Sequence, residues 1–145
     1  GAIKYSILRS ATGSDIIYDF EKSISFEGDS GPYLQYTYAR ALSVLRKTNL
    51  GVGLPSYLGA RLPSSLLERL LYRFPEVVAR AAKEFEPHHI ATYLIELAGA
   101  FNNFYAKNKI IGSEEENYRL ALTRAVSIVL KNGLWLLGME APERM

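Results

Sequence analysis

Apolar residues recur at three- and four-residue spacing through most of the chain, in blocks opened by Pro or Ser-x-x-Glu and closed by Gly. That period belongs to helices with one buried face, and the punctuation marks where each begins and ends. Ala2–Arg9 reads as a short helix ended by Ser10-Ala-Thr-Gly13. Over 15–26 the signal is mixed: Ile16-Ile-Tyr18 favours an extended stretch, and Asp19-Phe-Glu-Lys-Ser a helical turn. After the turn cluster Glu27-Gly-Asp-Ser-Gly31, Pro32 sits at the start of a helix reaching about Lys47. Ser65-x-x-Glu68 is a capping box predicting a helix to Arg73. Pro75 predicts a second helix to Phe85, and Pro87 a third to about Lys107. A second box, Ser113-x-x-Glu116, predicts a last helix to Lys131 or beyond, closed by Gly138 and interrupted but not ended by Gly133. Between them, 49–63 form an apolar Gly/Pro loop. The expected fold is all-α, a helical bundle of about five to six helices.

A chain of 145 residues is long enough to bury a core without covalent staples. It has no Cys, which excludes disulfide frameworks, thiolate zinc sites and cysteine nucleophiles. The longest apolar run near its end, residues 133–139, is far short of the roughly 20 residues of a membrane span. No secretory signal pattern opens the chain, so no membrane partner and a cytoplasmic location are expected. The net charge is only +2, with no basic tail. Phosphate-loop, dinucleotide-fingerprint, nucleophile-elbow and zinc-helix motifs are missing, and Gly51-Val-Gly53 lacks the third glycine. Adjacent His88 and His89 diverge by about 100° on a helix and do not make an i, i+4 metal pair. No catalytic residue, metal ligand or cofactor site is therefore assigned to this chain.

Placement of side chains says more than composition. On the 32–47 helix, Leu34, Tyr38, Ala41, Leu42 and Leu45 form the core stripe. Tyr33, Tyr36, Arg40, Ser43 and Lys47 share another arc of roughly 80°. Tyrosines interleaved with cations suit unpaired RNA, because rings stack on bases while cations reach phosphates. The same stripe also fits an amphipathic helix packing its second face on a neighbour. On the 87–107 helix, Ile90, Tyr93, Leu94, Leu97, Phe101 and Phe104 face the core, while Asn102 and Tyr105 leave that arc. The last helix is expected to bury Leu122, Ala125, Val126, Val129, Leu136 and Leu137. Opposite lie Arg124, Lys131 and Trp135, either a second contact surface or a half-buried Trp covered by a cation's stem.

Three stretches carry a family resemblance: Ser25-Phe-Glu-Gly-Asp-Ser-Gly-Pro-Tyr-Leu-Gln-Tyr-Thr-Tyr-Ala-Arg40, Glu86-Pro-His-His-Ile-Ala-Thr-Tyr-Leu-Ile-Glu-Leu-Ala with Phe101-Asn-Asn-Phe-Tyr105, and Arg119-Leu-Ala-Leu-Thr-Arg124 onward to Glu143-Arg-Met145. Together they resemble the C-terminal, DALR-type anticodon-binding domain of arginyl-tRNA synthetases, in that family's order. The resemblance implies a piece of a longer enzyme: 1–30 a connecting segment after a catalytic domain, and 31–145 the anticodon-binding bundle. It implies ATP, with Mg, for the catalytic domain and none here. It implies an arginine tRNA and the enzyme's own catalytic domain as partners, in a monomer. Arginine anticodons share a middle cytosine, the base to be read. Tyr33 and Tyr36 are then expected as stacking or hydroxyl contacts and Arg40 and Lys47 as phosphate ligands. Asn102 and Tyr105 are expected as further base contacts, and Arg124 as a contact. Met145 is expected to pack on a base with its carboxylate as an acceptor. The competing expectation is a helical protein-interaction domain docking through the 49–63 loop.

Overall fold

The structure, a computed structural model, describes residues 1–16, 18–48 and 65–145. Six helices and no strand occur among the described residues: α1 (Ala2–Leu8), α2 (Phe20–Ile24), α3 (Gly31–Arg46), α4 (Leu66–Glu84), α5 (His88–Lys107) and α6 (Glu116–Leu136). The apolar loop expected over 49–63 lies outside the described residues.

Local chemistry explains most of the boundaries. Asp19 caps α2 by accepting from the Lys22 amide at 3.1 Å, which bears out the helical turn expected after it; Ile17, in the stretch expected to be extended, lies outside the described residues. Ser30 caps α3 through the Tyr33 amide, with Pro32 in the first turn where its missing N–H is harmless. Ser65 and Glu68 close both halves of the capping box at the start of α4. The end of α6 is a complete Schellman motif: Met139 N–H bonds the Leu134 carbonyl, Gly138 N–H bonds the Trp135 carbonyl, and Gly138 takes φ +65°.

Two boundaries differ from expectation. Pro75 does not divide α4, which runs continuously through it. Packing on both sides keeps the helix continuous through the lost hydrogen bond: Leu67, Leu70, Leu71, Phe74, Val77 and Ala81 all join one core. Phe74, immediately before the proline, stacks on Tyr93 of α5 with centroids 5.6 Å apart. The second capping box does not form. Ser113 donates instead to the Ile110 carbonyl, the Glu116 carboxylate accepts from the Gly112 amide, and α6 begins at Glu116.

The core lies where α3, α5 and α6 meet, with α4 covering α5 and α6. Leu34, Tyr38, Leu94, Leu97, Phe101, Val126, Leu130 and Leu134 fill it. On α6, Leu122, Val126 and Leu137 are buried as expected and Val129 packs against the core, joined by Leu120, Thr123, Ser127, Leu130, Gly133 and Leu134; Leu136 is exposed, against expectation. That one departure falls in the apolar run at 134–137, where the pattern alone does not separate Leu134, Leu136 and Leu137. At Gly133 the two helices approach so closely that an added Cβ would sit 2.5 Å from Leu94 Cδ2. From α1, Tyr5 enters the same core, and its hydroxyl donates to Asp29 just ahead of α3. Burial and the Asp29 carboxylate push that hydroxyl's pKa well up.

Beyond α6 the chain turns back along α3. Lys4 Nζ holds the Gly138 carbonyl at 2.5 Å, and Gln35 Nε2 the Glu140 carbonyl at 2.8 Å. Arg46 grips Glu143 twice, at its carbonyl (3.0 Å) and its carboxylate (2.7 Å). These bonds bring residues 143–145 alongside α3.

Candidate nucleic-acid interface

Two adjoining concavities open on this side of α3. One, about 600 Å³, is lined by Tyr36, Arg40, Lys47, Tyr105, Arg144 and Met145 among others. The other, about 610 Å³, is lined by Phe26, Glu27, Tyr33, Tyr36, Arg40, Asn102 and Met145. Tyr36, Arg40 and Met145 belong to both and form the ridge between them.

Helix geometry sets this grouping. Tyr33, Tyr36 and Arg40 follow one another at i, i+3, i+7 on α3. Asn102 and Tyr105 are three apart near the end of α5, which packs on α3. The Arg40 guanidinium lies 4.7 Å from the Tyr36 ring centroid and 5.4 Å from that of Tyr105, held between two rings. Its Nη1 donates to Asn102 Oδ1 at 2.6 Å. Asn102 Nδ2 in turn donates to the Tyr33 hydroxyl at 2.9 Å and to Thr37 Oγ1 at 3.0 Å. Phe26 meets Tyr36 edge-on at 6.0 Å and walls the second concavity.

The charge balance favours an anionic strand beside the rings. Glu143 neutralises Arg46, whereas Lys47 and Arg144 have no acidic partner within 4 Å among the described residues. Tyr36 and Tyr105 stay partly exposed, 36% and 41%, although Arg40 lies against both rings.

Seven of the residues expected from sequence are thus brought together: Tyr33, Tyr36, Arg40, Lys47, Asn102, Tyr105 and Met145. The eighth, Arg124, is half-buried on α6 and lines neither concavity. Lys131 and Trp135 line a separate one of about 540 Å³ with residues 138–142. Trp135 is 76% exposed, so no cation's stem covers it. The sequence did not single out Phe26, Glu27, Thr37, Arg46 or Arg144, although all but Arg46 fall in the resembling stretches. His88 and His89 pair with Glu86 and Glu84, and those two carboxyls are held below their ordinary pKa, first by the Thr12 amide and by Arg80 respectively. Among the described residues no three His, Cys, Asp or Glu side chains converge on a metal-sized site.

The fold and face define a helical module with one open face of rings and cations. Comparison with known proteins sharpens it. The chain matches the DALR anticodon binding domain over residues 34–145, and it belongs to that family. It is 42% identical over 147 residues to the arginine–tRNA ligase of Latilactobacillus sakei, covering all of this chain and 26% of that protein. It is 42% identical over 156 residues to the arginine–tRNA ligase of Pyrococcus abyssi, covering 24% of that protein. Among solved structures, the Thermus thermophilus arginyl-tRNA synthetase superposes with a TM-score of 0.84 at 35% identity, over all of this chain and 26% of that one. The chain thus spans about a quarter of the length of these relatives.

Proposed function

We propose that this chain reads the anticodon loop of an arginine tRNA for an arginine–tRNA ligase of which it is one domain. The observation that carries this reading is the convergence of Tyr36, Arg40, Tyr105 and Met145 in one open concavity, with Lys47 and Arg144 in the same lining. A loop base extruded from its stack has two rings to lie against, and adjacent phosphates have two unneutralised cations. Arg124 would serve the RNA only through a separate contact on α6. Arginine activation with ATP and Mg belongs to another part of the protein, which is also this domain's partner. Exposed Ile3 and Ile7 on α1 and Phe20 and Ile24 on α2 suit such a neighbour, since they leave an apolar surface uncovered. A monomeric, cytoplasmic enzyme fits this role, and no described helix is long and apolar enough to cross a membrane.

The test is a titration of the full-length protein with an arginine tRNA and with a copy changed at the middle anticodon base. Tighter binding of the unchanged tRNA is expected. Equal binding of the two would overturn base reading by this domain.

A further inference from the structure

Residues 144 and 145 reach the open face of α3 without contacts of their own to hold them there. Met145 is 55% exposed, and neither it nor Arg144 makes a hydrogen bond or ion pair among the described residues. Both still line the first concavity. Their place is set upstream. Gln35 and Arg46 stand eleven residues apart on α3, close to three turns, so both project from one side of it. Gln35 Nε2 donates to the Glu140 carbonyl, while Arg46 donates to the Glu143 carbonyl through Nη1 and to its carboxylate through Nη2. A guanidinium that bonds both the main chain and the side chain of one residue fixes where that residue lies and how it is turned. Between the two anchors, Pro142 fixes its own φ and keeps Ala141 out of the helical region. Few free torsions remain ahead of Arg144.

We infer that Gln35 and Arg46 are positioning residues: they clamp the tail along α3, with Glu143 as its handle, and serve RNA binding through Arg144 and Met145 rather than by touching the RNA. This rests on the proposed anticodon-reading role and says how that face is assembled. The clamp runs against the electrostatics of the ligand. Glu143 sets an acid beside a face meant for phosphates, and it occupies a cation that would otherwise meet them. The pair is exposed, so it adds little to folding stability. What it supplies is preorganisation. A tail in its binding position only part of the time lowers the apparent affinity by that fraction.

The experiment measures equilibrium binding of an arginine tRNA to the full-length protein. Charge alone predicts that Glu143→Ala, which removes an acid and frees Arg46, tightens binding. The clamp predicts the opposite sign, a loss of about threefold to fivefold, the scale of one exposed ion pair released. In protein that also carries Arg144→Ala and Met145→Ala, the same substitution should no longer weaken binding, because the residues it positions are gone. Arg46→Lys keeps the charge but not the two-pronged grip, so it should weaken binding as Glu143→Ala does, whereas a phosphate contact would survive it. Gln35→Leu removes the other anchor and no charge, and should weaken binding only where Arg144 and Met145 are intact. Tighter or unchanged binding in Glu143→Ala, or equal weakening with and without Arg144 and Met145, would overturn this inference and leave the anticodon-reading role standing. Equal binding by the unaltered protein of tRNAs that differ at the middle anticodon base would defeat the reading on which the inference rests.

Discussion

Gly133→Ala tests the packing on which the interface depends, because Gly133 lets α6 lie against Leu94 of α5, the helix that carries Asn102 and Tyr105. A Cβ there would sit 2.5 Å from Leu94 Cδ2, 2.8 Å from Cδ1 and 3.0 Å from Cγ. Carbon atoms in contact prefer about 3.5–4.0 Å. Either the helices part by roughly 1 Å or a fully buried leucine leaves its rotamer, and overpacking of this kind costs about 1–3 kcal/mol. Alanine's helix propensity returns about 0.8–1.0 kcal/mol. The net expectation is a destabilisation of up to about 2 kcal/mol from these opposed terms. Leu94→Ala alone should cost about 2–5 kcal/mol through the cavity it leaves. In the double variant the new methyl enters that cavity, so the two changes should couple favourably by at least about 1 kcal/mol. Urea unfolding of all four proteins, with the slope checked for constancy, measures the cycle. Costs that simply add would refute the close approach at Gly133.

Tyr36→Ala should weaken tRNA binding by about 1–3 kcal/mol, the worth of one base stacked on a ring, in the titration described above. Lys47→Ala should weaken binding equally for all loop sequences and reduce the slope of log affinity against log salt by about 0.7–0.9, read from titrations at several ionic strengths. Tyr93, whose buried hydroxyl donates to the Leu70 carbonyl at 2.8 Å, has its pKa pushed up to about 12 by burial. The folded state keeps that proton while the unfolded chain loses it, so stability is fully present below the ordinary value of 10.0 and falls as pH rises toward 12. Tyr93→Phe should flatten that alkaline decline in unfolding curves taken at successive pH values. Trp135→Ser should leave stability within about 0.5 kcal/mol, since the ring is mostly in water.

The sequence revealed the fold where local chemistry and core packing agree. The caps at Asp19, Ser30 and Ser65 and the glycine stop at Gly138 needed only neighbouring residues to act. At Pro75 the core outweighed a local breaker, and that balance depends on Tyr93, which is remote in sequence. At Ser113 the right residues stood at the right spacing, but Ile110 and Gly112 offered their backbone groups first. The interface was legible as a stripe, because Tyr33, Tyr36 and Arg40 share a helix face whatever surrounds them. Their division of labour was not. Arg40, expected at a phosphate, and Asn102, expected at a base, bond each other, and only the packing of α5 on α3 brings them together. Phe26, Glu27 and Arg144 enter from segments with no periodic signal. Their positions follow from the turn before α3 and from the tail's grip on Gln35 and Arg46.

The Asp29 junction has a mechanical consequence. Asp29 takes the Tyr5 hydroxyl and an ion pair from Arg9, and it sits two residues beyond Glu27 in the segment that walls the second concavity. Tyr5 is itself locked in the core, so α1 and that wall form one strut. Anything that displaces Asp29 therefore acts on both ends at once, on the wall of the concavity and on the exposed face of α1.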